Sequence, residues 1–219
     1  MTGRIKEICS HLPQGKILAD VGCDHGYCAE YALKNDLFEK VYISDISAGS
    51  LKKAERLLKR FIGNGRCIPV LADGMKGLSE HCDCVLIAGL GGEEILKIAA
   101  EGYLPEKFVF QPMRNAEKLR RYLIEQGAKI TADYTFGEGH YYYDLIVGEN
   151  EGGSSYTDRE ILYGKDNLTH AVPAFLHKAE DEIRKLGAYL QRDMSSESRR
   201  EIIGRLNDWE EVYEITRRL

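Results

Sequence analysis

The chain has 219 residues, 43% hydrophobic and 30% charged, with a formal net charge of −5. That length suits one α/β domain of about 150 residues with a small addition, and the composition permits both a packed core and solubility. The acid excess argues against a uniformly basic nucleic-acid binder, so any RNA site must be a local patch. No apolar run approaches the roughly 18 residues of a membrane span. The charged opening, Met-Thr-Gly-Arg-Ile-Lys-Glu-Ile, lacks the apolar stretch of a signal peptide, and a cytoplasmic protein is expected. Its six cysteines should then be reduced structural thiols in or beside strands. Cys82 and Cys84 have no second Cys or His pair at zinc-like spacing, so no metal site is expected.

Residues 2–11 suit a short helix with Ile5 and Ile8 on one side, ended by Pro13 and Gly15. Residues 16–21 form a short apolar run that ends in an acid and enters a glycine-containing turn, the pattern of a buried parallel strand. Helix is expected over 25–33, and a second strand over 40–45 again ends in an acid. Ser47 is placed to cap a helix through Phe61, which Gly63-Asn64-Gly65 breaks. A third strand spans 67–71, with Pro69 pointing to a sheet edge. Further strands are expected at 84–88 and 108–110, each followed by a helix. Residues 129–136 and 141–148, joined through Gly137-Glu138-Gly139, read as an antiparallel hairpin. Repeated β-α alternation predicts a mostly parallel sheet, here seven-stranded, with helices on both faces and ligands beyond the carboxyl ends of its strands.

Glu151-Gly-Gly-Ser-Ser155 marks an expected boundary between a sheet domain, 1–153, and an extension, 154–219. In the extension Phe175, Ala179, Ile183, Leu186 and Leu190 recur at helical spacing, as do Ile202, Leu206, Trp209 and Tyr213. The short connection between them predicts an antiparallel helical hairpin. Such a hairpin must pack on the sheet domain, on a partner, or on itself in a dimer.

The chemistry is expected first in Asp20-Val21-Gly22-Cys23-Asp24-His25-Gly26, between a strand and a helix. Glycines there allow close approach of a ligand and positive φ. The dinucleotide fingerprint Gly-x-Gly-x-x-Gly is missing, because Asp24 stands where its second glycine would be. Carboxylates would repel a diphosphate but suit a cofactor with a cationic centre and an amino-acid end, such as S-adenosylmethionine. Asp45, with Ile46 after it, ends the second strand where an acid can bind ribose hydroxyls, or else cap the next helix. Asp73-Gly74 is placed for an adenine amino group or is an ordinary turn. Ala88-Gly89-Leu90-Gly91-Gly92 follows the fourth strand, and its glycines suit close approach by cofactor or target. Gln111-Pro-Met-Arg-Asn115 follows the fifth, offering amides and a cation beside the cleft, or a helix start capped by Asn115. A doubly wound sheet ending in a hairpin suits the methyltransferase variant of this architecture better than the dehydrogenase one.

Three stretches carry a closer likeness: Ala19-Asp-Val-Gly-Cys-Asp-His-Gly-Tyr27, Ile87-Ala-Gly-Leu-Gly-Gly92 and Phe110-Gln-Pro-Met-Arg-Asn115. In order and spacing the chain resembles the bacterial tRNA (adenine-22-N1)-methyltransferase family over the whole sheet domain, and more loosely over the helical extension. Where Gly26 and Leu90 stand the family often has Ala and Met. The resemblance implies a class I (Rossmann-like) methyltransferase fold, S-adenosylmethionine as cofactor, and tRNA as substrate methylated at N1 of adenine 22. Composition and periodicity yield only a nucleoside-type cofactor site and a helical hairpin.

On this reading Asp20, Gly22, Asp24, His25, Gly26, Asp45, Ile46, Asp73, Gly74, Ala88 and Gly89 are the expected cofactor residues. Asp24, Gln111 and Asn115 are the catalytic candidates, with Asp24 serving the cofactor's amino end, the target ring, or both. Neutral adenine keeps a lone pair on N1, so the tasks are positioning and stabilising the cationic product. A target base held in a pairing or stacking partner's grip must be flipped out and then wants an aromatic surface. Tyr27 and Tyr142 are candidates, together with Gly91 and Gly92 near the base, and Arg184 and Arg192 on the helical hairpin as a tRNA grip. The tyrosines can equally be strand packing, and the hairpin cations a solvated face laced with ion pairs. A methyltransferase acting on a small molecule or a protein, and a non-catalytic nucleotide- or RNA-binding module, are the competing readings.

Overall fold

The computed structural model describes residues 1–219. Seven strands form one sheet: β1 (Gly15–Val21), β2 (Phe38–Asp45), β3 (Cys67–Leu71), β4 (Cys84–Leu90), β5 (Lys107–Pro112), β6 (Lys129–Glu138) and β7 (Tyr141–Glu149). Their order is β3-β2-β1-β4-β5-β7-β6. The first five are parallel, and β7 runs antiparallel to both β5 and β6. The expected class I architecture is therefore present. β3 occupies the edge, where Pro69 costs no ladder hydrogen bond.

Adjacent residues of the central strands feed two cores. Leu18, Val41, Ile43 and Leu86 face one side, with α1 (Gly3–Ser10), α2 (Tyr27–Lys34) and α3 (Ala48–Leu57) packed over them. Ala19, Tyr42, Val85 and Ile87 face the other, under α5 (Gly92–Glu101) and α6 (Ala116–Glu125). Burial on both faces explains why these strands read as continuous apolar runs. The chain winds outward through β1, β2 and β3, then returns to place β4 on the far side of β1. That reversal opens a crevice at the carboxyl ends of β1 and β4.

The helices differ from expectation in three places. α2 begins at Tyr27 rather than at residue 25, because Gly26 has φ +74°, a left-handed conformation that cannot continue a helix. The helix expected over 47–61 is divided at Leu58 into α3 and α4 (Lys59–Gly63), with Ser47 capping α3 as anticipated. Two helices were not expected: α7 (Asp158–Tyr163) and α8 (Lys165–Thr169). Their signal was the Thr157-x-x-Glu160 capping box, in which the Glu160 carboxylate accepts the Thr157 N–H at 2.6 Å. Cys9 and Cys28 lie in α1 and α2 rather than beside strands, though all six thiols are free and buried.

α9 (Pro173–Tyr189) and α10 (Ser196–Thr216) form the antiparallel pair, and α9 packs on β6 and β7. Phe175, Ala179 and Leu186 are the buried stripe of α9; in α10 the expected Ile202, Leu206, Trp209 and Tyr213 are half-buried and the fully buried residues are Val212 and Thr216. Tyr163 of α7 meets the Trp209 ring edge-on with centroids 4.7 Å apart. Beneath α7 and α8 lies a buried charge network. Arg120 of α6 donates from Nε to both Asp133 carboxylate oxygens at 2.8 and 3.0 Å, and from Nη1 to the Ile161 carbonyl at 3.3 Å. Asp133 also accepts the Lys165 N–H, and Asn167 accepts the Thr135 N–H at 2.8 Å. These bonds fasten the start of the extension to β6. No helix is long and apolar enough to cross a membrane.

Candidate functional site

A cavity of about 590 Å³ opens at the carboxyl ends of β1, β2, β3 and β4. Three loops are tied together around it. The N–H groups of Gly22 and Cys23 both donate to the Ser44 carbonyl, at 2.8 and 3.0 Å. The Ser44 hydroxyl in turn donates to the Gly74 carbonyl at 2.8 Å. The β1 turn, the end of β2 and the loop after β3 are thus held in one frame.

Four carboxylates line this cavity: Asp20, Asp24, Asp45 and Asp73. Asp20 is 4% exposed and accepts the Ala29 N–H at 3.1 Å. Burial raises its pKa to about 7; the Ala29 bond opposes this, and the Asp45 charge adds to it. Asp24 sits in the left-handed region at φ +44°, uncommon for a residue with a side chain. Its N–H donates to Asp45 at 3.1 Å, while the other Asp45 oxygen accepts the Ser47 N–H at 2.8 Å. Asp45 therefore braces both the strained turn and the start of α3. The Asp24 carboxylate lies 2.6 Å from His25 Nδ1, and the His25 ring stacks parallel to Tyr27, centroids 5.6 Å apart. Asp73 is paired with Lys76 at 3.0 Å, and that contact holds its pKa below the usual carboxylate value.

One cation faces these acids. Arg4, from α1, is the single Lys or Arg among the lining residues, and Thr2 and Ile5 line the cavity beside it. Its Nε donates to Gln111 Oε1 at 2.8 Å, its main-chain N–H donates to Glu138 at 3.1 Å, and its guanidinium lies 5.1 Å from the Tyr143 ring centre. Nη2 passes directly over Gly89, where a Cβ would stand only 2.9 Å from it; Gly89 also has φ +86°. Sequence reasoning missed Arg4. No local motif marks it, because its place in the site depends on α1 folding back over the sheet.

Of the anticipated residues, Asp20, Gly22, Asp24, His25, Tyr27, Asp45, Ile46, Asp73, Gly74, Ala88 and Gly89 all line the cavity. Gly26 does not: it faces Ala54 and Leu58, where a Cβ would approach to 3.0 Å. Gln111 is fully buried, its oxygen engaged by Arg4 and its Nε2 donating to the Pro112 carbonyl at 2.9 Å. It acts on the cavity only through Arg4. Asn115 takes a left-handed conformation at the head of α6 without a side-chain capping bond. Gly92 is packed against it, since a Cβ would fall 2.2 Å from the Asn115 carbonyl, and the Gly91 N–H is spent on Glu94 at 2.7 Å. Neither glycine lines the cavity. Tyr142 of β7 donates to Asp181 of α9 at 2.8 Å and does not line the cavity. Arg184 is paired with Asp181, and Arg192 rests over the Tyr189 ring at 5.1 Å. No cluster of His, Cys, Asp and Glu is arranged to hold a metal ion.

The methyltransferase-domain family model matches residues 1–146. The tRNA (adenine(22)-N(1))-methyltransferase of Bacillus subtilis strain 168 is 24% identical over 190 residues, spanning 84% of this chain and 77% of that protein. A Mycoplasma pneumoniae protein named "Putative tRNA methyltransferase" is 32% identical over 169 residues, spanning 75% of this chain and 79% of its own. The chain belongs to the bacterial tRNA (adenine-22-N1)-methyltransferase family. The fold extends that likeness beyond the sheet domain. TrmK of M. capricolum, solved with S-adenosyl-homocysteine, matches with a TM-score of 0.89 at 22% identity, covering 99% of both chains. α7 to α10 are therefore part of the fold that this member of the family shares with that structure.

Proposed function

We propose that this protein transfers the methyl group of S-adenosylmethionine to N1 of adenine 22 in tRNA, and acts in the cytoplasm where that substrate resides. One observation carries the cofactor reading: four carboxylates and a single guanidinium face one cavity at the carboxyl ends of the strands. A diphosphate would meet a wall of carboxylates there, with Asp24 and Asp45 foremost. A ligand with a sulfonium, an ammonium and one carboxylate finds a partner for each charge.

The residues divide the work accordingly. Arg4 takes the carboxylate of the amino-acid end, held in place by Gln111 and Tyr143. Asp20 takes the ammonium. Asp45 accepts from the ribose hydroxyls while still bracing the Asp24 turn. Asp73 and Gly74 border the adenine. Bound S-adenosylmethionine supplies an electrophilic methyl group, and adenine N1 needs no base because its lone pair is already free. The protein's part is to align the acceptor and to offset the positive charge that develops on the ring. Asp24 takes that second task in this reading, which its position in the cavity lining and its 2.6 Å contact with His25 support. The stacked His25 and Tyr27 rings provide the aromatic surface beside which a flipped base can lie.

The test is incubation with unmodified tRNA and methyl-labelled cofactor. Label should enter wild-type tRNA and be lost when adenine 22 is replaced by guanine. Undiminished labelling of the replaced tRNA would overturn the position; failure of S-adenosylhomocysteine to bind by calorimetry would overturn the cofactor site.

A further inference from the structure

We infer that the tRNA backbone docks along the outer face of α3 and α4, on a stripe formed by Lys52, Lys53, Arg56, Lys59 and Arg60. The inference rests on the tRNA methyltransferase reading and adds the surface that holds the substrate.

Within residues 52–60 there are five cations and a single acid, Glu55, in a chain whose net charge is −5. All five cations are exposed, and none forms an ion pair. Lys52 and Arg56 stand four apart, as do Arg56 and Arg60, and Lys53 and Lys59 each stand three from Arg56. Within α3, Lys52, Lys53 and Arg56 so spaced are neighbours on one helix surface, where like charges repel, and Lys59 and Arg60 follow in α4 just past the break at Leu58. The segment keeps that repulsion unrelieved within the chain, so an external anion is the missing partner. α3 and α4 are anchored from beneath by Leu51, Ala54, Leu58 and Phe61, which leaves the charged face outward.

The C-terminal helices are different. Lys178 is held by Asp144, Arg184 by Asp181, Lys185 by Glu182, and Arg217 and Arg218 by Glu214. Arg199 donates to the Leu190 and Arg192 carbonyls and so closes the turn between α9 and α10. Most cations on that hairpin are already satisfied by the protein.

Position selects the partner. Ile46 and Ser50, at the head of α3, line the cofactor cavity, and Lys53 follows Ser50 by one helical turn. From Ser50 to Leu57 α3 advances about 10 Å at 1.5 Å per residue, and α4 carries the charge on past Leu58, enough to follow successive phosphates of one strand. The stripe therefore leads away from the mouth where the base must enter. A polyanion docked on it has its own nucleotides within reach of the site, which a membrane surface would not.

The experiment uses the full-length protein and unmodified tRNA. K53Q/R56Q/R60Q is compared with wild type and with R184Q/K185Q on α9. The first variant should bind S-adenosylhomocysteine as wild type does, showing an intact fold. Its tRNA affinity at about 50 mM salt should fall roughly 10- to 100-fold, and the slope of log K against log salt should shrink by about two to three, since each phosphate contact contributes roughly 0.7–0.9. The change should appear in KM for tRNA, with kcat at saturating tRNA near wild type. R184Q/K185Q should change tRNA affinity less than threefold. Wild-type tRNA affinity and salt slope in K53Q/R56Q/R60Q overturn the stripe, as does a larger loss in R184Q/K185Q. Should K53Q/R56Q/R60Q lose S-adenosylhomocysteine binding, R56Q alone is read in its place, with a loss of about threefold or more expected and an unchanged affinity overturning the stripe. If the wild type itself methylates no tRNA, the methyltransferase reading fails, and this proposal falls with it.

Discussion

Arg4 donates its Nε proton to the side-chain oxygen of Gln111 across 2.8 Å, joining a residue of the first helix to the buried end of β5. Gln111 also donates to the Pro112 carbonyl, so its amide plane is fixed and aims the guanidinium over Gly89. A residue expected to touch the substrate thus orients a residue that no motif revealed.

Arg4→Ala should weaken S-adenosylhomocysteine binding by about 1.5–3 kcal/mol, roughly 10- to 150-fold, through loss of charge-assisted hydrogen bonds. Gln111→Leu, which leaves the guanidinium present but unaimed, should cost about tenfold or less. Calorimetry with an analogue lacking the carboxylate supplies the control: wild type and Arg4→Ala should bind it equally. A preserved difference with that analogue would assign Arg4 to another part of the ligand.

Asp45→Ala should lower cofactor affinity by about 1.5–3 kcal/mol, again by loss of hydrogen bonds to a charged group. The Asp24 N–H also loses its acceptor. Asp45→Asn keeps an acceptor for that N–H and should retain the turn while still binding more weakly. Unchanged affinity in both variants would confine Asp45 to bracing the turn and the start of α3.

Asp20 predicts a pH dependence. Its folded pKa is raised to about 7 by burial, above the 3.8 of an unperturbed aspartate. Between those values the folded protein without ligand binds more protons than the unfolded chain, so this group's contribution to stability falls as pH rises through the window. A cationic ligand reverses the preference and releases the proton. Affinity for S-adenosylhomocysteine should therefore rise with pH, by up to about tenfold per unit below 7, and level off above it. Titrations from pH 5.5 to 8.5 in buffers of different ionisation enthalpy measure the released proton directly. Asp20→Asn should flatten the curve; a wild-type curve already flat would leave Asp20 with a structural part only.

Arg120→Ala should destabilise the fold by about 3–5 kcal/mol, because it leaves the Asp133 carboxylate buried without its partner. It also removes the donor to the Ile161 and Leu162 carbonyls that seats α7. Denaturant unfolding followed by tryptophan fluorescence is a suitable readout, since Trp209 packs on Tyr163 of that helix. A loss under 1 kcal/mol would show that the Arg120–Asp133 pair contributes little to seating α7.

By itself the sequence determined the sheet, its edge and most of the cavity wall. Apolar runs ending in acids are local signals, written within six to eight consecutive residues, and the carboxyl ends of parallel strands all lie along one edge of the sheet. That is why Asp20, Asp45, Asp73 and Gly89 could be named together without coordinates. Only the tertiary structure decided the rest, and in each case the reason is a contact between distant parts of the chain. Arg4 enters the cavity because α1 folds back to Glu138 and Gln111, more than one hundred residues away. Gly26 and Gly92, which as glycines suggest ligand approach, are instead required by Leu58 and by the Asn115 carbonyl. Whether a cation is available or already neutralised depends on which carboxylate lies within 4 Å, a distance that charge spacing along a helix does not contain. For that reason the hairpin's arginines read in the sequence equally as a grip or as a solvated face laced with ion pairs, and only the folded molecule shows Arg184 and Lys185 paired with Asp181 and Glu182.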